Sequence, residues 1–65
     1  MFRAFYKYKD TPGGHYSKSI EANSLEEAEQ KLFEFLNIRM VGRIEYTVTS
    51  EMPYRIYNTK SKKRE

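Results

Sequence analysis

The chain contains no cysteine and no tryptophan, one histidine, two prolines and three glycines, and it has no long apolar run. The missing cysteines exclude disulfides and thiolate metal sites, so covalent or zinc stapling cannot hold the fold. A lone histidine, His15, cannot build a metal site, and no Asp/Asn-rich loop with a closing Glu offers a calcium site. The pair Gly13-Gly14 is not a phosphate loop, because no Gly-Lys-Ser/Thr run follows it into a helix. No apolar stretch approaches the roughly 20 residues of a membrane span, and none at the start has the character of a signal peptide. The expectation is a soluble intracellular protein with no membrane contact, no metal and no cofactor. With no nucleophile–base spacing around His15, which is expected to be an exposed and inert turn residue, no enzymatic activity is expected either.

Aromatic residues and charge are what the chain has in quantity. Six tyrosines and four phenylalanines among 65 residues must supply most of a thin core. The net charge is +3. Lys60, Lys62, Lys63 and Arg64, set against Glu65, account for all of it, and the remaining body is neutral. The high pI thus belongs to the C-terminal end and says little about what the folded part binds.

Periodicity divides the chain into four strands and one helix. Residues 2–9 alternate, with Phe2, Ala4, Tyr6 and Tyr8 on one side and Arg3, Phe5, Lys7 and Lys9 on the other. Asp10-Thr11-Pro12-Gly13-Gly14 is turn chemistry. A weaker, edge-like strand follows over 15–22, with Tyr16, Ile20 and Ala22 sharing a face. Ser24 then caps a helix predicted over 24–37, with Glu27 three residues on completing a capping box and Glu26 and Glu27 opposing the dipole. Leu25, Ala28, Leu32, Phe35 and Leu36 form its apolar stripe, and Asn37 its terminator. Phe33 lies off that stripe, either packed on the 38–42 connection or exposed as a contact residue. Residues 43–49 alternate again, placing Ile44, Tyr46 and Val48 inward. After a turn at 50–53, a short strand over 54–57 is predicted with Tyr54 and Ile56 inward and Arg55 and Tyr57 outward. One domain is expected over 1–58, with 59–65 a disordered basic tail.

This order predicts an α+β fold of two layers, β-β-α-β-β, one helix on a small antiparallel sheet. A right-handed crossover places the third strand beside the first, for a strand order of 2-1-3-4. One helix covers one face. The other carries Arg3, Phe5, Lys7, Arg43, Arg55 and Tyr57, cations interleaved with aromatics, while the acidic residues gather on the helix. That face reads as a contact platform for an acidic protein surface or for nucleic acid, helped by Lys60, Lys62, Lys63 and Arg64. The plainer alternatives are a solvated sheet face with a solubilising tail, or an edge strand that makes a homodimer.

The run Ser19-Ile20-Glu21-Ala22-Asn23-Ser24-Leu25-Glu26-Glu27-Ala28, followed by a short helix and then Ile44-Glu45-Tyr46-Thr47-Val48, resembles small modulator proteins encoded by bacteriophages and other mobile elements, among them short inhibitors of host RNA polymerase. The likeness covers about residues 17–49; the fourth strand and the basic tail lie outside it. It implies a strand–helix–strand fold and a non-enzymatic binder that modulates a host macromolecular machine, a host protein being the partner and the cytoplasm of a bacterial cell the setting. It carries no residue-level assignment.

Overall fold

The computed structural model describes residues 1–65, folded as β1 (Phe2–Tyr8), β2 (Tyr16–Ile20), α1 (Leu25–Arg39), β3 (Arg43–Thr47), β4 (Arg55–Asn58) and β5 (Lys63–Arg64). The strands form one antiparallel sheet in the order β2-β1-β3-β4-β5. The α+β class and the 2-1-3-4 order match expectation, because a crossover from β2 through α1 must pass over β1. No helix is long and apolar enough to cross a membrane.

Antiparallel partners project to the same face, so register assigns the faces. Tyr6 pairs with Tyr46 and Tyr8 with Ile44 across β1 and β3; Ile44 pairs with Tyr57 and Tyr46 with Arg55 across β3 and β4. These residues share the helix side with Ala4 and Ile20, and α1 buries Ala28, Leu32, Phe33 and Leu36 against them. Ala4 is fully buried, and its small side chain gives the helix room to approach β1.

Three placements differ from expectation. First, β4 has the opposite phase: Tyr57 is buried in the core, Arg55 lies on the helix side at its exposed margin, and Ile56 is on the open face. Second, Phe33 neither packs on the 38–42 connection nor stands exposed. It lies flat on Tyr57, ring centres 3.8 Å apart and planes 7° from parallel, with Tyr46 edge-on at 5.2 Å. The helix stripe is broad enough to include it, whereas Leu25, in the first turn, is exposed. Third, the segment after residue 58 is structured. Thr59 is buried and clamps Gly42: its N–H donates to the Gly42 carbonyl (2.9 Å) and its Oγ1 accepts from the Gly42 N–H (2.8 Å). Gly42 takes φ +135, a conformation closed to most side chains. The Asn58 Oδ1 accepts from the N–H groups of Lys60 and Ser61, the chain turns through Lys62 at φ 58, and Lys63 and Arg64 pair back onto β4.

The helix begins as expected and ends later. Ser24 Oγ accepts from the Glu27 N–H at 3.1 Å. The return half of the capping box is absent; the Glu27 carboxylate pairs instead with Lys31, one turn on, at 3.4 Å. Asn37 does not terminate the helix, which runs to Arg39 and closes with the Met40 N–H on the Leu36 carbonyl.

Candidate interaction surfaces

The face of the sheet away from α1 carries Arg3, Phe5 and Lys7 from β1, Arg43 and Glu45 from β3, Ile56 from β4 and Lys63 from β5. Of the residues expected there, Arg3, Phe5, Lys7 and Arg43 lie together, and Arg55 and Tyr57 do not; Phe33, the separate candidate on the helix flank, belongs to the core. The tail cations are likewise divided: Lys63 looks out from this face, Arg64 from the helix side, and Lys60 and Lys62 sit in the turn between β4 and β5.

Several of these groups are already engaged. The Lys7 ammonium donates to the carbonyls of Thr11 (2.7 Å), Tyr8 (3.0 Å) and Lys9 (3.3 Å), closing the turn after β1. Arg43 grips the Glu65 carboxylate through Nη2 (2.8 Å) and Nε. His15 is not an exposed turn residue. Its Nε2 lies 2.9 Å from Glu45 Oε2, and its ring stacks on Tyr54 at 4.2 Å, so two loops from opposite ends of the sheet meet over this face. Arg3 and Lys63 take part in none of the chain's five ion pairs.

On the helix side the polar groups pair in two sets, one around Glu29 and one between Tyr57 and Asn37. Tyr46 donates to Glu29 Oε2 at 2.7 Å, Arg64 Nη1 sits 3.3 Å from Glu29 Oε1, and Tyr57 donates to Asn37 Oδ1 at 2.9 Å. Burial, then the adjacent Glu29 carboxylate, hold the Tyr46 phenol well above its usual range. A carboxylate beside a phenol could suggest acid–base chemistry. Here the carboxylate is neutralised by Arg64 and the phenol is fixed as a donor, which is how a buried polar pair stabilises a core.

A second surface was missed by sequence reasoning. Between the C-terminal half of α1 and the ends of β1 and β2 lies a groove of about 280 Å³, lined by Tyr6, Tyr8, Tyr16, Phe35, Arg39 and Met40. Phe35 meets Tyr6 edge-on at 5.6 Å, and Tyr6 leans on Tyr16 at 5.8 Å. Lys18 Nζ and Arg39 Cζ each lie 4.5 Å from the Phe35 ring centre. Tyr16 is 65% exposed, and Val41, next to Met40, 68%. The sequence shows a cation, Lys18, between Tyr16 and Ile20 on the inward phase of β2, but only the fold shows that it comes to rest over Phe35 at the edge of α1.

Comparisons with protein-family models, with curated proteins and with solved structures found no match for this chain.

Proposed function

We propose that this chain is a small non-enzymatic interaction protein, of phage or mobile-element origin, that docks on an acidic surface of a bacterial host protein and modulates the machine to which that protein belongs. One observation carries the reading: α1 covers one face of the sheet, while the other has no second helix or sheet over it, only the loops that bring His15 and Tyr54 together and bury Thr47. On this face the half-buried Phe5 and Ile56 and the Tyr54–His15 stack, which is tied to Glu45, supply apolar area, and Arg3 and Lys63, in no ion pair, stand around them with the Glu65-paired Arg43. An apolar middle with a charged rim is the anatomy of a protein interface. The sign of the rim suits an acidic partner.

Nucleic-acid binding by the same face has less support. A polyanion needs several free cations in a row, and here Lys7 serves backbone carbonyls while Arg43 holds Glu65. That leaves Arg3 and Lys63 on this face, with Lys60 and Lys62 in the adjoining turn, for phosphates.

The test is affinity capture from bacterial lysate with the full chain, run beside Arg3→Glu/Phe5→Ala and beside Arg55→Glu. The expected result is a protein partner that survives nuclease treatment, is lost with the double variant and is kept by Arg55→Glu, which alters the other side of the sheet. Equal recovery by the double variant removes the open face from consideration. Recovery abolished by nuclease, with a steep salt dependence on single-stranded DNA, transfers the face to the nucleic-acid reading.

A further inference from the structure

We propose that the outer edge of β2, with the groove beneath Phe35, takes up an extended acidic segment of a partner protein as a sixth strand. This surface is separate from the open sheet face. Strand β2 pairs with β1 on one side and with nothing on the other, so its outer row of main-chain N–H and C=O groups is free to pair with an incoming strand. A strand laid along that edge sends alternate side chains to the helix side, next to Tyr16 and Lys18, where the groove opens.

The cations choose the occupant. Neither Lys18 nor Arg39 joins any of the five ion pairs. Both are held in place against Phe35, and a guanidinium fixed in this way keeps its N–H fork for a carboxylate. Tyr16, Tyr6 and Met40 offer the neighbouring apolar slot. The segment that fits alternates acidic and apolar side chains on its inward face.

The other occupants fit less well. A second copy paired edge to edge brings another β2, Tyr-Ser-Lys-Ser-Ile, which adds a cation and no carboxylate. Paired about its own middle, Lys18 meets Lys18. A nucleic-acid strand cannot complete a main-chain ladder, and the Phe35 ring already carries two cations where a base would stack.

The experiment displays random nine-residue peptides to the full chain, with the Lys18→Glu/Arg39→Glu variant as counter-selection. Enriched peptides are expected to alternate acidic with apolar residues. A synthetic copy of one should slow amide exchange in residues 16–20, bind Arg39→Gln about tenfold more weakly, and bind Arg3→Glu/Phe5→Ala unchanged. The last arm separates this site from the open sheet face, since each can fail without the other. Arg39→Gln removes the guanidinium at an exposed position while keeping part of the apolar stem, and an unchanged melting curve shows that lost binding is not lost folding. The proposal is overturned by no enrichment over the counter-selected variant, by protection confined to other strands, or by displacement of the peptide by self-association in sedimentation. Tighter binding of an oligothymidylate than of any peptide to the same residues also overturns it.

Discussion

Helix α1 has two flanks, and each sets a phenylalanine against a tyrosine. On one, Phe33 lies flat on Tyr57, and Arg64 of β5 reaches over to Glu29, which in turn holds Tyr46. On the other, Phe35 meets Tyr6 edge-on, Lys18 and Arg39 lie over the ring, and nothing stands beyond them. The residue types are alike; the outcome is not. A two-residue strand makes the difference, because it adds a main-chain ladder and an arginine for the half-buried Glu29 carboxylate on the β4 side. On the β2 side the sheet simply ends. Aromatic content therefore does not decide which surface is sealed; the presence of a next strand does, and the flank without one is where a partner can supply it.

The comparison can be broken most directly at the two phenylalanines. Phe33→Ala should cost about 3–5 kcal/mol, the range for emptying a buried aromatic site. A domain of this size holds roughly 3–10 kcal/mol in all, so the variant should be largely unfolded at 37 °C by circular dichroism. Phe35→Ala removes a half-buried ring and should cost about 1–2 kcal/mol in a urea titration. Equal losses would mean that the open flank is as well packed as the sealed one. Truncation after Thr59 comes next. It removes β5, leaves the Glu29 carboxylate without Arg64, and exposes Tyr57, for an expected loss of about 2 kcal/mol; because Glu29 keeps 18% exposure, the full penalty of a buried unpaired charge does not apply. A free tail would make this truncation neutral.

The missed features share a physical cause. Elements with strong local signals were legible: the alternation of β1 and β3, the Ser24 cap, the Ala28–Leu32–Leu36 stripe and the crossover that orders the strands. The phase of β4 was not, because Ile56 and Tyr57 put an apolar side chain on each phase of a four-residue strand and Tyr54, just before it, adds to the first. Pairing with Ile44 and Tyr46 decides it, and that is long-range information. The segment Lys63-Arg64 has no hydrophobic signature at all. Main-chain bonds to β4 and two ion pairs, Arg43–Glu65 and Arg64–Glu29, hold it there. His15 was misread for a related reason: Glu45 and Tyr54, which give it a half-buried place, are far away in the chain. For the candidate surfaces, the β1 and β3 side chains of the open face were legible, whereas the groove required knowing where the helix stops covering β2.

The sealed flank should also show a signature in alkali. Tyr46 is held protonated in the fold, its pKa raised by burial and by Glu29, while in the unfolded chain it titrates near 10. A raised folded value means that this stabilisation is complete below about pH 10 and is lost as pH climbs from there toward the folded value, because the unfolded state releases its proton first. Urea midpoints of the native chain should therefore fall above pH 10. Tyr46→Phe should lose about 1–2 kcal/mol at neutral pH, since Glu29 loses its donor, and should fall less steeply in alkali. A parallel decline in both proteins would place the alkaline sensitivity outside the Glu29–Tyr46 pair.

The smallest effect concerns the turn that brings β5 back. Lys62 is the only non-glycine residue with positive φ, at 58, and a side chain there is strained by roughly 1 kcal/mol. Lys62→Gly relieves the strain but frees the unfolded chain, so the net gain should be a few tenths of a kcal/mol. Its location is more informative than its size. Relief at Lys62 favours the hairpin that closes the Phe33 flank, so slower amide exchange is expected in residues 55–58 and 63–65, while residues 16–20 at the free edge stay as they were. Slowed exchange at both edges would show that closing one flank tightens the whole sheet, and the two flanks would then have to be treated as a single cooperative unit.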